Sequence, residues 1–200
     1  MLELNVNNET SKLLAVVLGT AKSNGPAPML EECYDPKSRE NVLANTYPIE
    51  IDMVSELNQL ENVLLKHNVK VYRPEVINDY NQIFSRDIGF VIDDFFIVSN
   101  ILPERSKEIL AIDKVIDLIQ KNKIIELPED CHIEGGDVIL HNEYVFIGTY
   151  DGNDYSNLKT ARTNYQAIKF LKERFPEKKI ISFDLIKSDL ESTKNALHLD

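Results

Sequence analysis

The feature that most constrains the fold of this chain is an order of elements that occurs twice. Phe90 to Ile92, Asp93-Asp94 and Phe95 to Val98 read as a hairpin, two β-branched and aromatic runs joined by turn formers. Pro103 opens a helix expected to run to about Gln120, and Lys123 to Leu127 (KIIEL) reads as a strand. The order then returns, with Val138 to Leu140, His141-Asn142 and Tyr144 to Ile147 as a second hairpin. Asn157 to about Arg174 follows as a helix with Ala161, Ile168 and Leu171 inward, and Lys179 to Phe183 (KIISF) as a strand. Phe90 to Val138 is 48 residues and Ile124 to Ile180 is 56. Recurrence of this kind predicts an α/β array or ring in which each unit buries its face against the next. An ordinary α/β domain with coincidental spacing is the competing reading. The repeat is favoured because the order of elements recurs as well as the period.

The segment before Phe90 fits a third, degenerate copy. Leu13 to Gly19 (LLAVVLG) is an apolar run ended by glycine and reads as a buried strand. Thr20 to Tyr47, with Pro26, Pro28 and Pro36, reads as a long loop, and loops of that length in compact domains often serve as lids. Pro48 fits the first position of a helix, with Glu50 and Asp52 near the positive end of its dipole. Ile51, Val54, Leu57, Leu60, Val63 and Leu64 form one apolar helical face, and Val69 to Tyr72 is a strand.

Two hundred residues at 43% apolar suffice for one sizeable core, and a single domain over residues 1–200 is expected. The formal net charge of −11 repels phosphate, which argues against nucleic acid and anionic membrane as partners. It favours a small cation, although a solubilising surface explains most of the charge. Cys33 and Cys131 are too few for a disulfide framework and wrongly spaced for a zinc site. Met1 to Asn8 carries no basic region leading into an apolar stretch, and no run reaches the roughly 20 apolar residues of a membrane span. A cytoplasmic location is expected.

The chemistry concentrates in Cys131-His132-Ile133-Glu134-Gly135-Gly136-Asp137, directly ahead of the apolar run Val138 to Leu140. The glycine pair lets the backbone turn sharply and approach another segment closely. Glu134 and Asp137 at the mouth of a buried strand need water, a cation or each other.

Taken together, FSRD (Phe84 to Asp87), IEGGD (Ile133 to Asp137), RTN (Arg162 to Asn164) and LHLD (Leu197 to Asp200) resemble the guanidino-group-modifying, or pentein, superfamily. That superfamily includes arginine deiminase, dimethylarginine dimethylaminohydrolase and the amidinotransferases. The resemblance runs from about Asn45 to Asp200 and rests on four motifs in the family's order. It implies ββαβ units, normally five, arranged as an α/β propeller, which this chain would leave incomplete.

The residue types suit the implied chemistry. A guanidinium is planar, cationic and donates hydrogen bonds in a fork, so carboxylates are its natural clamps. By resemblance, Asp87 and Asp200 bind the guanidinium, while Glu134 and His198 are the catalytic acid–histidine pair. A strand at the C-terminal end would point His198 and Asp200 to one face. Arg105, Arg162 and Asn81 match deiminase positions that anchor a substrate carboxylate. Asp137 either joins the acids or braces the Gly-Gly turn.

The implied reaction is attack of a cysteine thiolate on the guanidinium carbon, with the histidine protonating the leaving amine. Water or an amine then resolves the adduct, which separates hydrolases from amidinotransferases, and the RTN motif leans toward hydrolysis. The family's cysteine lies beyond the LHLD motif. Cys131 is too near Glu134 to be its counterpart, and Cys33 lies in the N-terminal loop, so a chain lacking the family's C-terminal units and the covalent step is expected.

Two other readings remain. A metal-dependent hydrolase would use His132, Glu134, Asp137 and His141 as mixed nitrogen and oxygen ligands. A non-catalytic module would keep the acids and bind an arginine-like ligand without turnover. The family reading requires neither cofactor nor metal. Its partner is a small guanidino cation, with a homodimer left open.

Overall fold

The computed structural model of the chain describes residues 1–152 and 154–200. In chain order its elements are β1 (Ala15–Val17), α1 (Pro36–Leu43), α2 (Glu50–Lys66), β2 (Lys70–Tyr72), β3 (Gly89–Ile92) and β4 (Phe95–Val98). They continue with α3 (Lys107–Leu110), α4 (Asp113–Ile116), β5 (Ile124–Glu126), β6 (Val138–His141), β7 (Tyr144–Thr149), α5 (Tyr165–Arg174) and β8 (Lys179–Asp184).

Both hairpins turn on a left-handed residue, Asp93 at φ 53° and Asn142 at φ 57°. Asp and Asn tolerate that region better than other side chains do. The strands form three sheets, β1-β2, β3-β4-β5 and β6-β7-β8. In each of the last two, the hairpin is antiparallel and its second strand pairs parallel with the strand that follows the helical segment. The first sheet keeps only the parallel pair, bridged by α2, as a degenerate copy would. The repeat is therefore present as two full units and one partial unit. The described residues form no closed propeller.

Register shows how the units stack. Phe90 pairs with Ile97 and Ile97 with Ile125 in the second sheet. All three are buried in the main core with Val138, Leu140, Val145 and Ile147 of the third sheet and Ala167, Ile168 and Leu171 of α5. One face of the second sheet is thus covered by the third unit. A smaller cluster of Ile88, Ile101 and Ile112, with Val17 and Phe96 against it, joins the second sheet to the first.

Several boundaries differ from the sequence expectation. The segment from Pro103 is a short 3-10 turn followed by α3 and α4, not one helix to Gln120. The break falls where the Glu75 N–H takes the Ala111 carbonyl and Ile112 leaves helical geometry (φ −106°, ψ 10°). The last helix starts at Tyr165 rather than Asn157, because Asn164 caps it by accepting the Ala167 N–H. Ahead of that cap, Asp189 accepts the N–H groups of Lys159 and Thr160, which removes them as helical donors.

Near the N-terminus, the Thr20 to Tyr47 loop contains α1, whose signature is Asp35 as N-cap followed by Pro36 at the first position. Helix α2 begins at Glu50 with Ile49 as its cap, two residues past Pro48. Its apolar stripe is only partly covered: Val54, Leu57 and Leu64 are half-buried, whereas Ile51, Leu60 and Val63 are exposed. The expected buried first strand is likewise half-buried in β1, with Leu13 and Leu14 exposed.

Candidate active site

Convergence of the site begins with the two glycines. A Cβ on Gly135 would lie 2.1 Å from the Arg86 carbonyl oxygen, and the Gly135 N–H donates to the Asp87 carbonyl at 3.2 Å. A Cβ on Gly136 would lie 2.8 Å from Cγ of His198 and 2.9 Å from Oδ1 of Asp87. Only residues without a side chain let the segment ahead of β6 pass this close to the segment ahead of β3. Gly135→Ala should therefore cost about 1–3 kcal/mol by forcing the backbones apart, read as a lower urea midpoint. An unchanged midpoint would show that the crossing relaxes freely.

Four buried carboxylates, Asp87, Glu108, Glu134 and Asp137, gather around this crossing with buried Arg105 and Arg162. Glu134 is fully buried and takes Nη1 of Arg162 on both oxygens, at 3.1 and 3.0 Å. Arg105 forks onto Glu108, Nε at 2.7 Å and Nη2 at 3.0 Å, and its Nη1 lies 2.8 Å from Asp87 and 3.4 Å from Glu134. His198 stands among these acids: Nε2 is 3.3 Å from Glu134 and 3.6 Å from Asp87, and Nδ1 is 3.5 Å from Asp137.

The three residues of RTN each have a separate task. Arg162 binds Glu134 and donates to the Tyr34 carbonyl, which ties the N-terminal loop to the cluster. The Thr163 hydroxyl donates to Asp137 at 2.6 Å and accepts the Glu134 N–H at 3.3 Å. Asn164 caps α5 and also holds the backbone of Asp130 and His132. Lys187 steadies the segment carrying His198 by donating to the carbonyls of Ala196 and Leu197.

Electrostatics follow from this crowding. Burial pulls the His198 pKa down, but the Asp137 and Glu134 carboxylates beside the ring, at 3.5 and 3.3 Å, and the Asp87 charge outweigh it and raise the value to about 9. Burial alone would raise the Glu134 pKa, but Arg162, His198 and Arg105 hold it down at about 2. Glu108 is pushed up by burial despite its pairing with Arg105. Near pH 7 the cluster thus presents an imidazolium proton beside an ionised, fully buried glutamate.

Of the residues expected from the sequence, Asp87, Glu134, Asp137, Arg105, Arg162 and His198 come together. Asp200 and Asn81 do not join the ion-pair cluster. Residues 195–200 form no strand, so the expected common face of His198 and Asp200 is absent. The Asp200 side chain is exposed, 3.5 Å from Nε of Arg86, and only its N–H reaches inward, to the Gly136 carbonyl. Asn81 accepts the N–H of Ile83, two residues on. Arg162 lies in the buried stretch before α5 rather than on a helical face. Sequence reasoning missed Glu108, Thr163 and Lys187; only Thr163 carried a signal, as the middle residue of a motif already noted.

The four metal ligands considered from the sequence are not assembled. His132 pairs with Asp154 at 2.9 Å and stacks on Tyr155, while His141 is exposed at the end of β6. A different trio, Asp87, Glu134 and His198, has donor atoms within 4.8 Å of one another. The guanidinium groups of Arg105 and Arg162 already lie on its two carboxylates and would oppose a metal cation there.

No protein-family model matches the sequence. The chain is 32% identical over 147 residues to the uncharacterized protein YkgA of Bacillus subtilis (strain 168), 72% of this chain and 44% of that protein. Among solved structures, it matches SxtG, an amidinotransferase from the saxitoxin biosynthetic pathway of Microseira wollei. That match has TM-score 0.67 at 18% identity and covers 90% of this chain and 62% of that one. The inosamine-phosphate amidinotransferase StrB1 of Streptomyces griseus matches with TM-score 0.67 at 16% identity, over 94% and 64% of the two chains. The fold is that of the pentein superfamily. A dimethylarginine dimethylaminohydrolase of Pseudomonas aeruginosa, solved with citrulline, shares it at TM-score 0.59 and 12% identity, over 86% and 62%. The chain spans less than two thirds of the length of each of these relatives. Within the pentein fold, the buried cluster lies where the second and third units cross. No helix among the described residues is long and apolar enough to cross a membrane.

Proposed function

We propose that this chain carries the ligand-holding and proton-moving part of a guanidine-modifying site of the arginine deiminase, dimethylaminohydrolase or amidinotransferase type. The observation that carries the reading is the histidine held charged among buried carboxylates: His198 lies 3.3 Å from Glu134 and 3.6 Å from Asp87. Asp87 accepts the N–H groups of a ligand guanidinium, for which a buried carboxylate is the natural partner. His198 delivers a proton to the departing amine, and Glu134 stabilises and orients the imidazolium, helped by Thr163 through Asp137. The acids draw an arginine-like cation inward.

A second reading is binding without turnover by the described residues, whose two cysteines are not activated. Cys131 is buried, and burial together with Asp130 pushes its thiol up to about 11, the opposite of an activated thiolate. The Cys33 thiol is raised as well, by partial burial and by Asp35. Neither is prepared as the nucleophile that the resemblance implies.

Calorimetric titration with arginine, methylated arginine and agmatine tests the shared element of both readings. Asp87→Asn should weaken whichever ligand binds by about 10–100-fold, the worth of a hydrogen bond to a charged group. Unchanged affinity in a folded variant would rule both out. Release of citrulline or of an amine from the bound ligand would decide for turnover over binding alone.

A further inference from the structure

We propose that Asp87, Glu108 and Glu134 bound a seat for a planar guanidinium and that Arg105 occupies it in cis, so that a ligand guanidinium gains Asp87 only by displacing Arg105. This deepens the reading above and rests on it for the identity of the natural ligand. The three acids are each buried and approach the Arg105 guanidinium from different directions. Glu108 takes the Nε–Nη2 edge at 2.7 and 3.0 Å. Asp87 and Glu134 share Nη1 at 2.8 and 3.4 Å, and the Phe84 carbonyl accepts from Nη2 at 3.4 Å. The Phe84 ring lies 6.0 Å from the guanidinium carbon. Acceptors thus meet every nitrogen of the fork, an arrangement that fits a flat five-donor cation and not a compact ammonium.

The charges account for competition. Glu134 already holds two guanidinium groups. Both oxygens of Asp87 are engaged, however, Oδ2 by Arg105 at 2.8 Å and Oδ1 beside Nε2 of His198 at 3.6 Å, and a further buried cation there would meet both charges. Asp87 therefore serves Arg105 or a ligand, not both in their full geometry. Resemblance assigns Arg105 to a substrate carboxylate, yet here its N–H groups face acids and a backbone carbonyl. It becomes available to a carboxylate only after leaving Asp87. Glu108, which grips the opposite edge of the same guanidinium, sets how readily that happens.

Chemical rescue tests the seat. Arg105→Gly should melt at a lower temperature than the unaltered protein and recover with guanidinium chloride at about 1–50 mM, well below denaturing concentrations. A rise of roughly 3–6 °C is expected once guanidinium reaches about ten times its dissociation constant. Ammonium and tetramethylammonium chloride at the same concentrations should not reproduce it. Equal rises with all three salts, or none, overturn the proposal.

If the glycine variant does not fold, the unaltered protein gives the answer through the Arg105 Nε–H resonance during titration with agmatine. Displacement moves that resonance, whereas a signal unmoved at every concentration overturns the proposal. The two readings fail separately. Arginine binding that depends on Asp87, without guanidinium rescue, leaves the proposed function standing and removes the seat. Rescue without any arginine-like ligand for the unaltered protein does the reverse.

Discussion

Glu134→Ala should destabilise the protein by about 3–5 kcal/mol, the cost of removing one partner from a buried ion pair. Glu134 is fully buried and is the shared counter-charge of Arg162, at 3.0 Å, Arg105, at 3.4 Å, and His198, at 3.3 Å. Truncation leaves the Arg162 guanidinium in the interior facing only the carbonyls of Lys159 and Tyr34. That loss is a large share of the roughly 5–15 kcal/mol by which domains are stable. Urea unfolding followed by far-ultraviolet circular dichroism measures it. The exposed Lys37–Glu40 pair is the control, since removing it should change stability by only about 0–1 kcal/mol. A Glu134→Ala loss as small as that control would mean that water reaches the cluster. Glu134→Gln separates charge from volume, because it keeps the shape and removes only the ionic part.

The second large effect is on pH dependence. His198 titrates at about 9 in the native protein against 6.5 for an unperturbed imidazole, so the folded state holds this proton more tightly than the unfolded one. The associated stability is fully present below about pH 6.5 and is lost as pH rises through 9, on the order of 3 kcal/mol. Glu134 works in the opposite direction. Its pKa is lowered from 4.5 to about 2, so its contribution is present above 4.5 and lost as pH falls toward 2. Stability should therefore plateau between roughly pH 4.5 and 6.5 and decline on both sides. Unfolding midpoints across this range test the shape. A histidine ring-proton titration tests the cause: the His198 midpoint should lie near 9 and fall in Glu134→Gln, with Asp137 and Asp87 still holding it above the unperturbed value. A midpoint near ~6.5 in the unaltered protein would place His198 in water rather than among the acids.

Parts of this architecture were legible because they are local. The turn formers at Asp93-Asp94 and His141-Asn142, and the runs KIIEL and KIISF, state hairpins and strands within a few residues of themselves, although His141 itself pairs with Tyr144. The Gly-Gly pair likewise announced a close backbone approach, realised between Gly135 and Arg86. Helix limits were less legible. Nothing near Asn157 shows that the distant Asp189 will bind the N–H groups of Lys159 and Thr160 and delay α5 to Tyr165. The orientation of Asp200 was misjudged for a similar reason. Strand alternation needs a sheet partner, which residues 195–200 lack, so His198 turns inward while Asp200 stays with Arg86.

By itself, the sequence determined the kind of unit and its repetition, since periodicity and turn chemistry act over a few neighbouring residues. Only the tertiary structure decided how those charges pair. It placed Glu108 opposite Asp87 across the Arg105 guanidinium and set Thr163 between Glu134 and Asp137. Pairings of this kind join segments tens of residues apart at one crossing, and burial there compels each charge to find a partner.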